Sequence, residues 1–124
     1  MIVLLAAALA CVPLAQADAF GDIRFDEGAG PGDRRLVEVR CSGDGGGECD
    51  GRDRQGVRYG FLDDALLVKT IDGIGPSAAF AARLEPASDR PETLTATVCD
   101  MVAVWVELRR GSGGRWTYGL YAQP

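Results

Sequence analysis

Residues 94–108 read LTATVCDMVAVWVEL, and over most of this stretch an apolar side chain stands at every second position. The residues that share this parity are Leu94, Ala96, Val98, Val102, Val104, Val106 and Leu108. Because successive side chains of a strand point to opposite faces, the period of two predicts one long strand with a buried face. Asp100 interrupts the pattern, and we expect a bulge or bend there. The stretch therefore predicts a protein built on a β-sheet.

Shorter alternating segments lie on both sides of this stretch. We predict further strands over residues 22–25, 36–41, 57–61, 65–71 and 116–120, separated by loops rich in Gly and Asp. One short helix is predicted to begin at Pro76 and to end near Leu84, with Phe80 and Leu84 on its apolar side. The expected fold is α+β, a mainly antiparallel β-sheet with one short helix packed on one face. An all-β barrel or sandwich is the alternative.

The first 17 residues have the composition of a secretion signal, since they carry no charge and consist largely of Ile, Val, Leu and Ala. Ala15-Gln16-Ala17 is a small-x-small cleavage site, and we predict cleavage after Ala17. The apolar run is shorter than the roughly 20 residues that a membrane-spanning helix needs. The prediction is a signal peptide over 1–17 and one small exported domain over 18–124, periplasmic or secreted. A lipid anchor through Cys11 is the alternative.

Acidic side chains exceed basic ones by 18 to 13, which gives a formal net charge of −5. A negative surface repels nucleic acid and anionic lipid, and it favours a cationic partner. We therefore expect the partner to be another envelope protein with a basic surface, and we expect no nucleic acid and no membrane span.

Cleavage after Ala17 would leave three cysteines, Cys41, Cys49 and Cys99. An oxidising compartment favours one disulfide among them. The Gly-rich stretch between Cys41 and Cys49 is flexible enough to bring the two together, and we predict this pairing. Cys99 would then be a buried free thiol in a strand, although a longer bridge to it stays open as the alternative.

The chain has no His, which excludes a Ser-His-Asp triad, a Cys-His pair and a His-ligated metal. We predict no cofactor and no enzymatic activity. A glycan hydrolase that uses two carboxylates is one alternative, with Asp100 and either Asp63 or Asp64 as the pair. Calcium binding by the acidic glycine loop is the other, although the spacing of its acids differs from that of an EF-hand.

The leading hypothesis is a non-enzymatic protein-interaction module of the bacterial envelope, such as an inhibitor or an accessory subunit. It follows from the missing catalytic residues together with a small disulfide-bonded frame that carries rigid loops. The candidate interaction surface combines the acids of the glycine loop with the aromatic residues near the C-terminus. These residues are Asp44, Glu48, Asp50, Asp53, Trp105, Trp116, Tyr118 and Tyr121.

Overall fold

A computed structural model of the chain describes residues 11–42, 47–73 and 77–124. Within them nine strands form one sheet. The strands are β1 (Cys11–Val12), β2 (Leu36–Ser42), β3 (Glu48–Asp53), β4 (Arg58–Leu62), β5 (Ala65–Asp72), β6 (Glu85–Pro86), β7 (Thr93–Val98), β8 (Val104–Arg110) and β9 (Trp116–Ala122). The described α-helices, α1 (Leu14–Ala17) and α2 (Ala78–Ala81), are single turns of four residues each. The prediction of a β-rich fold is confirmed, and its helical part is smaller than expected.

The strands follow the linear order β1-β7-β8-β9-β5-β4-β3-β2, and β6 pairs with β7 along the same edge as β1. Every pairing is antiparallel except that of β1 with β7, which is parallel. Most neighbours are consecutive in the chain, as short hairpin connections require. The long-range pairings of β1 with β7 and of β5 with β9 close the fold.

The predicted long strand over 94–108 is wrong, because the structure divides it into the hairpin β7–β8. The chain reverses between Val98 and Val104, where Ala103 has a φ of 57°. The two strands pair in register, with Leu94 opposite Leu108. Residues that face each other across an antiparallel pair point to the same side, so both strands present their apolar residues to one face. The period of two that runs through 94–108 therefore comes from two strands of a hairpin, each of which buries one face.

The predictions for residues 22–25 and for residues 50–53 are also wrong. Residues 22–25 form no strand but an irregular segment of bends that ends in a turn, and two of their backbone N–H groups bond to side chains: Ile23 N to Tyr59 Oη at 3.2 Å and Phe25 N to Asp18 Oδ2 at 2.7 Å. Residues 50–53, predicted as loop, belong to β3. Gly51 is the reason that the sequence did not predict this strand, because Gly is uncommon within strands.

The register places the buried side chains of the long strands on one side of the sheet, which we call the core face. A first group lies under β7, β8 and β9 and includes Val12, Ala96, Val98, Val106, Leu108 and Leu120. A second group lies under β3 and β4 and includes Ile23, Leu36, Val57, Tyr59 and Phe61. The N-terminal segment 11–25 supplies buried residues to both groups, and Phe80 of α2 packs against the first. Segment 11–25 is thus the main cover of the core face.

All four cysteines are disulfide-bonded. Cys41 pairs with Cys49, opposite each other on β2 and β3 with Cα atoms 4.0 Å apart. Cys11 pairs with Cys99, with Cα atoms 5.0 Å apart and a sequence separation of 88. The expectation of a buried free thiol at Cys99 is wrong, because β1 brings Cys11 alongside the end of β7. The second bridge also occupies the thiol that a lipid anchor through Cys11 would need.

A buried carboxylate ties segment 11–25 to the sheet. Asp53, 1% exposed, accepts hydrogen bonds at Oδ2 from Tyr59 Oη at 2.7 Å and from Asp22 N at 2.9 Å. Its Oδ1 accepts from the backbone N–H groups of Gln55 and Val57, at 2.9 and 3.0 Å. Burial alone would raise the pKa of Asp53, but these donors hold it below its ordinary value. The carboxylate is therefore ionised and fully hydrogen-bonded in the folded state.

We expect Asp53→Asn to remove an acid-dependent part of the stability. A depressed folded-state pKa contributes stability above the unfolded value of about 4, and that contribution is lost as the pH falls through the folded pKa. Denaturant unfolding of both proteins from pH 2 to pH 7 should show a difference that is largest near neutrality and shrinks in acid. Asp64→Asn, on an exposed turn, is the control. A difference between D53N and the parent that does not change with pH would contradict the assignment.

Candidate interaction surface

The side of the sheet opposite the core face, which we call the open face, carries polar and aromatic side chains. Its members alternate along the strands with the buried residues. The segment 11–25, which includes α1, contributes its buried residues to the core face, and the partly buried Phe80 of α2 packs against the same face. The open face therefore offers its strand side chains to other molecules over β2 to β5, and near β8 and β9.

A groove of about 610 Å³ crosses the open face over strands β2 to β5. The cross-strand register explains it, because Asp50, Gly60 and Val68 stand opposite one another on β3, β4 and β5. Gly60 has no side chain, so the row has a gap between Asp50 and Val68. Side chains on the flanking rows and strands form the walls.

The two walls of the groove differ in chemistry. Leu62, Leu67 and Val68 line it from β4 and β5. Glu48 and Asp50 line it from β3 and are exposed. The groove thus sets a hydrophobic strip beside two carboxylates.

Most of the other charges along the groove are neutralised by neighbours. Glu38 pairs with Arg52 at 2.6 Å. Arg58 donates to both oxygens of Asp72, at 2.9 and 3.0 Å. The Arg58 guanidinium, together with the Thr117 hydroxyl, holds the pKa of Asp72 below its ordinary value.

Glu48 and Asp50 make no ion pair within the described ranges, and neither does Arg40, which stands opposite Asp50 on β2. With the Glu38–Arg52 and Arg58–Asp72 pairs counted as neutral, two carboxylates against one guanidinium leave an excess of one negative charge. The groove therefore favours a cationic ligand.

An aromatic pair lies on the open face next to the groove, since Tyr121 stands opposite Val68. The rings of Trp105 and Tyr121 stack with centroids 5.8 Å apart and planes 16° apart. Glu107 is buried beside them and accepts hydrogen bonds from Trp105 Nε1 at 2.9 Å and from Arg90 Nη1 at 2.7 Å. Both rings are half-buried, and they are positioned by their mutual stacking and by the hydrogen bond to Glu107, which suits a contact surface.

The structure divides the predicted interaction residues between the two faces. Glu48, Asp50, Trp105 and Tyr121 lie on the open face, and Asp44 lies outside the described residues. Asp53 is buried in the network described above. Strand alternation is the reason for this division. The prediction grouped residues that are close along the chain, but successive residues of a strand point to opposite faces.

The other two predicted aromatic residues, Trp116 and Tyr118, lie on the core face. Tyr118 is buried, and its hydroxyl donates to the Ala17 carbonyl at 2.6 Å. Trp116 is half-buried against the first core group, and the Arg110 guanidinium lies 5.8 Å from its ring centroid. Both rings contribute to the packing of the core face and are not part of the open face.

The residues that sequence reasoning missed are Arg40, Gly60, Leu62, Leu67 and Val68. Gly60 interrupts an alternating segment, and a Gly at such a position signals a place that another molecule or chain can approach. That signal was available in the sequence. The hydrophobic wall could not be predicted from the sequence. The register of β4 and β5 shifts between the pair Gly60–Val68 and the pair Phe61–Leu66, and Leu67 lies at this irregularity.

The carboxylates of the hydrolase alternative do not form a pair. Asp100 lies in the turn after β7, where its Oδ1 accepts a hydrogen bond from Leu14 N at 2.9 Å. Asp63 and Asp64 form the exposed turn between β4 and β5. Strands β8 and β9 lie between β7 and β5 in the sheet. At the usual strand spacing, β7 and β5 are therefore roughly 14 Å apart. That separation exceeds the roughly 5–10 Å that glycoside hydrolysis requires.

The acids of the calcium alternative that the structure describes do not converge either. Asp53 points to the core face, whereas Glu48 and Asp50 point to the open face. No group of three or more potential metal ligands was found among residues 11–42, 47–73 and 77–124. In the same part of the chain, none of the helices has the length and hydrophobicity to traverse a bilayer.

Comparisons with protein-family models, with curated proteins and with solved structures each found no match for this chain.

Proposed function

We propose that this chain is a small exported, non-enzymatic protein-interaction module of the bacterial envelope that binds a basic segment of a partner protein in the open-face groove. The inhibitor or accessory subunit of a larger envelope protein is a role of this kind. Two disulfides in a small β-rich domain are consistent with an oxidising, extracytoplasmic compartment. The apolar leader supports export to the periplasm or the medium.

The observation that carries the proposal is the pairing of a hydrophobic wall with two carboxylates that make no ion pair in the described structure. An Arg or Lys side chain has an aliphatic stem and a cationic head. The stem can pack on Leu62, Leu67 and Val68 while the head donates hydrogen bonds to Glu48 or Asp50. Charge-assisted hydrogen bonds of this type are about twice as strong as neutral ones.

The proposal is tested by an NMR titration of ¹⁵N-labelled protein with an extended peptide that alternates Arg and Leu. We expect the largest shifts at the backbone amides of Asp50, Gly60 and Val68. Glu48→Gln/Asp50→Asn should weaken binding by at least tenfold, which corresponds to about 1.4 kcal/mol of lost interaction. A peptide that alternates Glu and Leu should not bind.

The matched control removes two exposed acids away from the groove, Asp26→Asn/Glu85→Gln. It changes the net charge by the same amount, so it separates a local contact from general electrostatic attraction. Affinity purification from an envelope extract then applies the same three proteins to the natural partner. A partner retained equally by the E48Q/D50N variant and by the parent would contradict the groove as its binding site.

A further inference from the structure

The segment that the sequence predicts to be cut away is part of the fold. Strand β1 pairs with β7, with Cys11 opposite Thr97 and Val12 opposite Val98. Val12 and Ala17 are completely buried, and both belong to the first core group. Cleavage after Ala17 would remove these side chains and expose the edge of β7.

Three polar contacts also depend on residues 12–17. Cys99 N donates to the Val12 carbonyl at 2.9 Å. Leu14 N donates to Asp100 Oδ1 at 2.9 Å, and the buried Tyr118 hydroxyl donates to the Ala17 carbonyl at 2.6 Å. A chain that began at Asp18 would keep Asp100 and Tyr118 without these partners. A buried polar group that loses its hydrogen bond is costly, so removal of residues 12–17 would destabilise the fold, above all at the buried Tyr118 hydroxyl.

Cysteine pairing supports the same conclusion. A chain that began at Asp18 would contain three cysteines and could form one bridge. A chain that includes Cys11 contains four and forms both bridges of the structure. An exported domain with an even number of cysteines leaves no reactive thiol in an oxidising compartment.

The sequence offers another cleavage site directly before this segment. Ala8-Leu9-Ala10 has small residues at the third and the first positions before the bond between Ala10 and Cys11. The apolar run from Ile2 to Leu9 has eight residues, within the usual 7–15. Cleavage there would keep every contact described above.

We propose that the export signal is cleaved between Ala10 and Cys11, so that the mature protein begins at Cys11. A signal peptidase hydrolyses this peptide bond with one water molecule, leaving a carboxylate on Ala10 and a new amine on Cys11. The proposal rests on the export that is part of the proposed function.

The same bond is the one cut in lipid-anchored proteins, where the thiol of the first Cys carries the lipid. The structure assigns that sulfur to the bridge with Cys99. A lipid on Cys11 would leave Cys99 as an unpaired thiol on the surface, because Cys99 is exposed. The mature chain is therefore not lipidated.

The test expresses the full chain with a C-terminal tag in a bacterium that exports proteins, and purifies it from the periplasmic, membrane and cytosolic fractions. N-terminal sequencing and intact mass are measured, with thiol alkylation before and after reduction. We expect periplasmic protein that begins at Cys11, with no alkylated thiol before reduction and four after it. Periplasmic protein that begins at Asp18, or a mass increased by a lipid, would overturn the site but leave export intact. Uncleaved protein in the cytosol would overturn both.

Two variants locate the cleaved bond independently of folding. Ala10→Phe places a large residue directly before the bond, and we expect it to abolish the chain that begins at Cys11. Ala15→Phe places a large residue at the third position before the bond after Ala17, where the small-x-small site also requires a small residue, and Ala15 is exposed, so the fold tolerates it. We expect A15F to be processed like the parent. Loss of processing in A15F but not in A10F would overturn the proposal.

Discussion

Replacing Lys69 with Met will lower the free energy of unfolding by about 3–5 kcal/mol, the cost of leaving one charge of a buried ion pair without its partner. Lys69 Nζ lies 2.5 Å from Asp18 Oδ1, and the two side chains are 1% and 6% exposed. Nζ also lies 4.5 Å from the centroid of the Phe20 ring. Met fills a similar volume but cannot neutralise Asp18. Urea unfolding followed by Trp fluorescence measures the loss.

Two matched variants separate this effect from loss of packing. Lys69→Met/Asp18→Asn removes both charges, and the new amide oxygen can still accept the hydrogen bond that Phe25 N donates to Asp18 at 2.7 Å. We expect the double variant to be more stable than K69M. Arg58→Met breaks the exposed pair with Asp72, in which both side chains are about half exposed, and should cost less than about 1 kcal/mol. Equal losses in K69M and R58M would contradict the burial argument.

The Lys69 pair illustrates what a sequence can and cannot predict about this fold. Apolar and β-branched segments between Gly- and Asp-rich loops located β2, β4, β5 and β9, although only β4 among them alternates regularly between buried and more exposed positions and β2 buries Leu36 alone. The same pattern placed Lys69 in a strand but could not reveal its partner, which lies 51 residues away in segment 11–25. That segment has no regular structure after α1, since its backbone bonds to side chains of the sheet. Its position depends on long-range contacts that leave no local pattern.

The candidate site shows the same limit. Glu48, Asp50 and Trp105 were predicted to belong to an interaction surface. Their arrangement depends on strand order and register, which bring Asp50, Gly60, Val68 and Tyr121 into one row across four strands. A single sequence gives the face of each strand but not which strands are neighbours. The groove was therefore visible only in the structure.

Removing the bridge between Cys11 and Cys99 will destabilise the protein more than removing the bridge between Cys41 and Cys49. On the chain-entropy view a disulfide acts by restricting the unfolded chain, and the restriction grows with the length of the closed loop. Loops of 88 and 8 residues give about 4.6 and about 2.5 kcal/mol. We expect Cys11→Ser/Cys99→Ser and Cys41→Ser/Cys49→Ser to lose about these amounts in urea unfolding.

The slope of the unfolding free energy against urea concentration distinguishes this mechanism from local damage to the native state. Opening the long loop lets the unfolded chain expand and expose more surface, so the slope should rise in C11S/C99S and change little in C41S/C49S. Damage confined to β1 would lower the stability of C11S/C99S without raising the slope. Because Cys11 also fastens β1 to β7, that outcome would mean that the bridge stabilises the edge of the sheet rather than restricting the unfolded chain.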